Sequence, residues 1–292
     1  MDIIVEVGTP EQKKLIAEES KLLEYIAQQF DPPLHITKLI VAENFEERVN
    51  EIEGISSYKA NRDLVDAIGR VCVDGDGYAI IVSPILYTEN VDTSIRYFIL
   101  FHELAHVINK RDFAPVSTDI YTNQFYASSL SHLYDEYYAD RFAYKLIDVI
   151  YPEKSQFWVD HHNSTIQGFM DLITNPSHYE AIKVEIEAFR HHADVDEFLK
   201  KVHIYYDSLA IILAHTFALY HQYPGVITDE DLAKSRFVKT KTFNLMNYFS
   251  KIYEDKSVDL TDGMDLIIEF MTNFGIKFEQ RESGPYCHVL DI

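Results

Sequence analysis

Apolar residues fall into helical spacing near the start of the chain. Leu15, Ile16, Leu22, Leu23 and Ile26 recur at intervals that place them on one helical face. Thr9-Pro10-Glu11-Gln12 starts this helix: Thr9 caps it, Pro10 suits the first helical position, and Gln12 can reach back to the cap. Asp31-Pro32-Pro33 ends it. The β-branched run from His35 to Ala42 predicts a strand. A short helical stretch follows from Asn44 to Ile52, then the loop Gly54-Ile55-Ser56-Ser57. Arg70 to Val73 and Tyr78 to Val82 flank Asp74-Gly75-Asp76-Gly77. This predicts a β-hairpin, because Asp-Gly pairs supply the positive φ angles that tight turns need. From Asp92 to about Lys110 the pattern is helical, and Phe98, Ile99, Leu104 and Ala105 lie in a stretch apolar on most sides.

Beyond that helix, Lys110 to Gln124 is polar and reads as a surface loop. Ser128 to Tyr151 is helical and ends at Pro152. Further helices are predicted over about 155–173, 178–192, 194–222, 239–254 and 262–273. The tail from Ile276 to Ile292 can form a small hairpin, against which Pro285 counts. The expected class is therefore α+β: a half with a small sheet, 1–150, followed by an all-α half, 151–292.

Composition narrows the functions open to such a chain. A length of 292 residues suits roughly two domains of about 150 residues. The net charge of −21 argues against nucleic acid and against anionic membrane surfaces, both of which need clustered Lys and Arg. Two cysteines, Cys72 and Cys287, cannot build a disulfide framework or a Cys-based zinc finger, and read as free thiols of a reducing compartment. The segment Met1 to Glu6 has no basic, apolar signal-peptide pattern. The longest apolar run, Leu209 to Tyr220, is broken by His215 and Thr216 and falls short of the ~20 residues a spanning helix needs. A soluble cytoplasmic protein is expected. Asp74 and Asp76 suggest a calcium loop only briefly, since the ligand series stops at two carboxylates.

The candidate chemistry lies in His102-Glu103-Leu104-Ala105-His106. On a helix, positions i and i+4 share a face, so both imidazoles can grip one zinc ion. Glu103 can then take the proton of a water at the metal, whose pKa zinc lowers to about 7. Phe98 to Phe101 precede the motif and Val107-Ile108 follow it. Two histidines and a glutamate in so apolar a helix are costly unless paired or metal-bound.

A catalytic zinc needs a third protein ligand and an open position. Glu136 and Asp140, on the next predicted helix, are again i and i+4. Glu136 can complete the ligand set. Asp140 can accept a hydrogen bond from the outer ring nitrogen of a ligating histidine, His102 being the first choice, and so fix its tautomer. Ala139 and Ala143 are small enough to let the two helices approach. Asp135 is rotated by ~100° from Glu136 and faces elsewhere. A rival ligand is Asp112, since His102, His106, Asn109 and Asp112 follow metzincin spacing with Asn for Gly and Asp for His. That choice leaves Glu136 and Asp140 without a role.

The stretch from about Ile68 to Leu146 resembles the ImmA/IrrE-type metallopeptidases of bacteria and their mobile elements. The hairpin, the Arg96-Tyr97-Phe98-Ile99-Leu100-Phe101 lead into His102, and Glu136-x-x-Ala139-Asp140-x-Phe142-Ala143 carry the likeness. More broadly the chain looks like a gluzincin, the class with Glu as third ligand. The resemblance implies a zincin-like fold for the first half, zinc on His102, His106 and Glu136, and Glu103 as base. The family often has Asn at the position of Asp140 and Gly at that of Ala105. The helical half has no counterpart in it.

The expected activity is hydrolysis of a protein or peptide substrate. An extended substrate would add to a free edge of the Tyr78 to Val82 strand, through Tyr78, Ile80 and Val82. Zinc would polarise the scissile carbonyl, and Glu103 would pass the water's proton to the leaving amine. The repressor-cleaving peptidases it resembles suggest one dedicated protein substrate. The alternative is a non-cleaving zinc module that regulates or binds a partner, although a structural zinc has no need of Glu103. Among the remaining histidines, His161, His162, His178, His215 and His221 can each be imagined as oxyanion stabilisers, and spacing selects none.

Overall fold

A computed structural model describes residues 1–60, 66–113, 116, 121–150, 163–257, 259–282 and 284–292. The chain is mixed α and β with helices dominating. It divides into two compact units. The first comprises Met1–Asp112 and the chain from Ala139 on in helix α4 (Tyr121–Ile150); the second comprises Phe113–Tyr138 and the chain from helix α5 (Asn163–Thr174) onward. This differs from the single break expected at residue 150, because one continuous helix, α4, contributes to both units.

In the first unit, strands β1 (Asp2–Val5), β2 (Ile36–Val41), β3 (Gly69–Asp74) and β4 (Gly77–Val82) form a sheet in the order β1-β2-β4-β3. β1, β2 and β4 are parallel, and β3 runs antiparallel to β4. The apolar runs of β2 and β4 reflect strands covered on both faces. On one face Ile40, Cys72 and Ile81 join Phe45 and Val49 of α2 (Phe45–Glu53) in a buried cluster. Leu39, Val41, Val71, Ile80 and Val82 alternate to the other face. The hairpin is the expected one, and Gly75 takes the left-handed conformation at its turn, with φ +64°. Asp74 accepts from the Thr37 hydroxyl at 2.6 Å and from Lys38 Nζ at 2.9 Å, which ties the turn to β2 and holds the Asp74 carboxyl below its usual pKa. The sequence pattern predicts no strand at β1, which is only four residues long and mostly exposed.

Helix α1 (Pro10–Ala27) begins with the expected capping box: Gln12 N donates to Thr9 Oγ1 at 3.2 Å, and Thr9 N to Gln12 Oε1 at 2.7 Å. It is tied to α3 (Thr93–Asp112) by a buried ion pair, Arg96 Nε to Glu19 Oε1 at 3.0 Å. Arg96 also donates to Val91 O at 2.8 Å and Thr93 Oγ1 at 2.9 Å, so most of its fork is used near the start of α3. A buried pair of this kind adds little net stability, but loss of one partner strands a charge at about 3–5 kcal/mol. It fixes the end of α3 from which the His102 motif follows by less than two turns. Phe98 stacks at a tilt on Tyr144 of α4, 4.8 Å between centroids, within the same unit.

In the second unit, α6 (Pro176–His192), α7 (Val195–Gln222), α8 (Asp229–Leu232), α9 (Thr240–Asp255) and α10 (Met264–Met271) join α5 and the first part of α4. α7 is the core helix: Leu209, Ile212, Leu213, Ala214, Phe217 and Ala218 are fully buried. Its Lys200–Gln222 stretch is long and apolar enough to cross a membrane, yet 81% of that apolar window is buried inside the protein. Tyr134 and Tyr137 of α4 pack on Phe249 of α9. The second unit is not all-α as expected, because β5 (Ile276–Arg281) and β6 (Gly284–Val289) pair antiparallel near its end. Pro285 stands opposite Gln280 and is tolerated because, in a two-stranded ribbon, each strand has an open edge. Phe278 anchors the ribbon, its N–H donating to Tyr126 OH at 2.6 Å and its ring meeting Phe125.

Candidate metal centre

α3 presents His102 and His106 on one face, as the i, i+4 spacing requires. α4 presents Glu136 and Asp140 in the same relation, one turn apart. His102 Nδ1 lies 2.8 Å from Asp140 Oδ1, and Asp140 is 1% exposed. An ionised carboxylate only accepts, so with Asp140 ionised the proton of this bond is on His102 Nδ1. In the neutral ring that leaves His102 Nε2 as a lone pair. It faces His106 Nε2 at 3.0 Å, with the two rings nearly perpendicular. Two ring nitrogens so close need a shared proton or a cation between them.

His102, His106 and Glu136 each offer one ligand atom, and those atoms lie within 4.8 Å of one another. The donor set suits a divalent metal: two neutral imidazoles, one carboxylate, and a second carboxylate behind the first imidazole. Two nitrogens bound to one tetrahedral zinc at about 2.0–2.1 Å stand about 3.3 Å apart. The observed 3.0 Å is close to that separation. Neither cysteine is in the group; both are buried, and burial, with Glu53 nearby, pushes the Cys72 thiol up to about 12.

The rival ligand Asp112 is not part of this group. Its carboxylate is bound by the adjacent Arg111 guanidinium, at 2.6 Å from Nη2. Glu103, the expected base, is 5% exposed on the buried side of α3 and lies against β3 at Gly69. Ala139 and Ala143, expected to be small for close helix approach, are both fully buried.

The expected substrate strand needs correction. Tyr78, Ile80 and Val82 lie on β4, which has no free edge: β2 pairs with one side and β3 with the other. Ile80 and Val82 are also completely buried. The outer strand on this side is β3, and among the described residues no strand pairs with its other edge.

Of the histidines that spacing left undecided, His161 and His162 lie outside the described residues. His221 is engaged by Tyr137 OH at 2.8 Å and Asn247 Oδ1 at 3.2 Å. His178 packs near Tyr205, and burial lowers its pKa. His215 stands apart from these. Its Nε2 is 3.9 Å from Glu136 Oε2, and its ring stacks on Phe169. Sequence reasoning names His215 only as one of five histidines among which spacing does not choose, and does not name Gly69, which lies against Glu103. His215 is one polar residue inside an apolar helical run, and Gly69 is a glycine at a strand start; neither carries a local signal.

Substituting Asp140 with Ala is expected to weaken metal binding by about 10–100-fold, because His102 loses the partner that fixes its tautomer and raises its basicity. A competition titration against a chelator of known affinity measures this. Unchanged affinity would remove Asp140 from the centre.

Compared with protein-family models, curated proteins and solved structures, the chain matches none of them.

Proposed function

We propose that the chain is a zinc-dependent endopeptidase, with a zincin-like first half and a resemblance to the ImmA/IrrE type. The observation that carries this reading is the His102–Asp140 pair at 2.8 Å, which turns His102 Nε2 toward His106 Nε2 at 3.0 Å beside Glu136. A zinc ion held there would supply Lewis acidity toward a peptide carbonyl and make a water acidic near neutral pH. Glu103 follows His102 directly in the chain and is not in the ligand group, and this reading assigns its carboxylate to proton transfer. It takes the proton of the attacking water and delivers it to the departing amine nitrogen, as a general base and then a general acid. Asp140 holds the His102 ring in one tautomer throughout. An extended substrate is best accommodated along the outer edge of β3, where main-chain hydrogen bonds give affinity without demanding a particular sequence. A purified dedicated substrate fits this reading as well as a general one.

Metal removal tests the proposal. Chelation is expected to abolish cleavage in a native lysate, and one equivalent of zinc to restore it. Products on a casein-like substrate would mark a general peptidase, and products from one lysate protein alone a dedicated one. No zinc-dependent product in either would favour the non-cleaving module.

A further inference from the structure

Gly69 is the first residue of β3 and pairs with Val82 of β4. A Cβ built on Gly69 would stand 2.7 Å from Cδ of Glu103 and 2.8 Å from its Cγ, and nearer still to Oε1. Carbon atoms in good contact sit about 3.5–4.0 Å apart. The carboxyl group of Glu103 therefore occupies the volume that any side chain at position 69 would need. The backbone does not ask for glycine here, since the φ of Gly69 lies outside the left-handed region. A glycine inside a strand weakens it and marks a close approach; the group that approaches is Glu103.

We propose that Gly69 is a positioning residue for Glu103: its bare backbone gives the buried carboxylate a flat floor and holds it in one rotamer. This rests on Glu103 being the general base. With alanine at 69 the carboxylate has to retreat from β3 by roughly 1 Å, and a misplacement of that size can cost about 100-fold in rate. Glu103 is 5% exposed, so the displaced group has no open solvent on hand to receive it.

Two measurements on the whole 292-residue chain test the inference. In the first, Gly69→Ala lowers kcat by about 100-fold while KM and zinc per chain stay at the parent's values. An unchanged kcat overturns the proposal. The second needs no activity, so it stands even if the peptidase reading fails. Gly69→Ala is expected to lower Tm by about 5 °C in the parent, as overpacking does, and to leave Tm unchanged in a Glu103→Ala background, where the obstructing carboxylate is gone. An equal drop in both backgrounds overturns the steric link between the two residues. Should Gly69→Ala fail to fold, a folded Gly69→Ala/Glu103→Ala double variant supports the proposal, and an unfolded one overturns it.

Discussion

Replacing Glu103 with glutamine is expected to abolish peptide cleavage while the protein keeps its full complement of metal. Glutamine matches glutamate in size, so the packing of this 5%-exposed side chain against β3 is preserved. Its amide cannot accept the proton of a water, nor carry one to a leaving nitrogen. A positioned general acid–base contributes typically about 10²–10⁴-fold, or about 3–5 kcal/mol of barrier. In the proposed mechanism one residue serves both proton transfers, so the expected loss belongs at the upper end. The group that could hold the metal is His102, His106 and Glu136, none of them altered, and zinc per chain from elemental analysis should equal the parent's. A variant that loses both zinc and activity would mean that Glu103 supports the centre rather than the chemistry.

The second large effect concerns the third ligand. Glu136→Ala is expected to lose zinc, and Asp112→Ala to keep it. Glu136 is the one carboxylate in the candidate ligand group, so its removal would leave two neutral imidazoles facing a dication. The loss should exceed the roughly 10–100-fold expected when a ligand merely loses its hydrogen-bond partner. Asp112, by contrast, is held by Arg111 at the end of α3. Elemental analysis of the two purified variants separates the cases. Zinc kept in Glu136→Ala and lost in Asp112→Ala would move the centre to a metzincin-like ligand set.

The sequence makes the centre far more legible than the surface that would serve it. His102 and His106, and Glu136 and Asp140, are pairs at helical spacing, and such spacing survives any arrangement of the rest of the chain. The Asp140 contact with His102 could be named in advance because a ligating imidazole has a second nitrogen that needs an acceptor. The sheet is different. The hairpin of β3 and β4 is written in its Asp-Gly turn, yet which of its strands is the edge depends on β2 pairing with β4 across more than thirty residues. No local pattern encodes that choice, and the substrate strand was accordingly expected on β4, which is interior. β1 adds to the difficulty, since its four residues, three of them exposed, show no alternation to read.

The same division applies to single residues and helix boundaries. Gly69 of β3 lies against Glu103 of helix α3, and a lone glycine at the start of a hairpin has many commoner explanations. His215 meets Glu136 from α7 and looks, in the sequence, like an interruption in an apolar run. α4 begins at Tyr121 rather than Ser128, a start the sequence does not show because the first residues of the helix, Tyr121 to Gln124, are polar and lack an apolar helical period. Tyr126 is instead held by its hydrogen bond with Phe278, a contact 152 residues away in sequence.

Profiling the new peptide N termini formed in a native lysate, with zinc-loaded parent protein beside zinc-loaded Glu103→Gln, brings the metal, the base and the substrate into one readout. Products that appear with the parent and are missing with Glu103→Gln are predicted. Identical profiles, whether both empty or both showing the same products, would contradict a Glu103-dependent zinc peptidase.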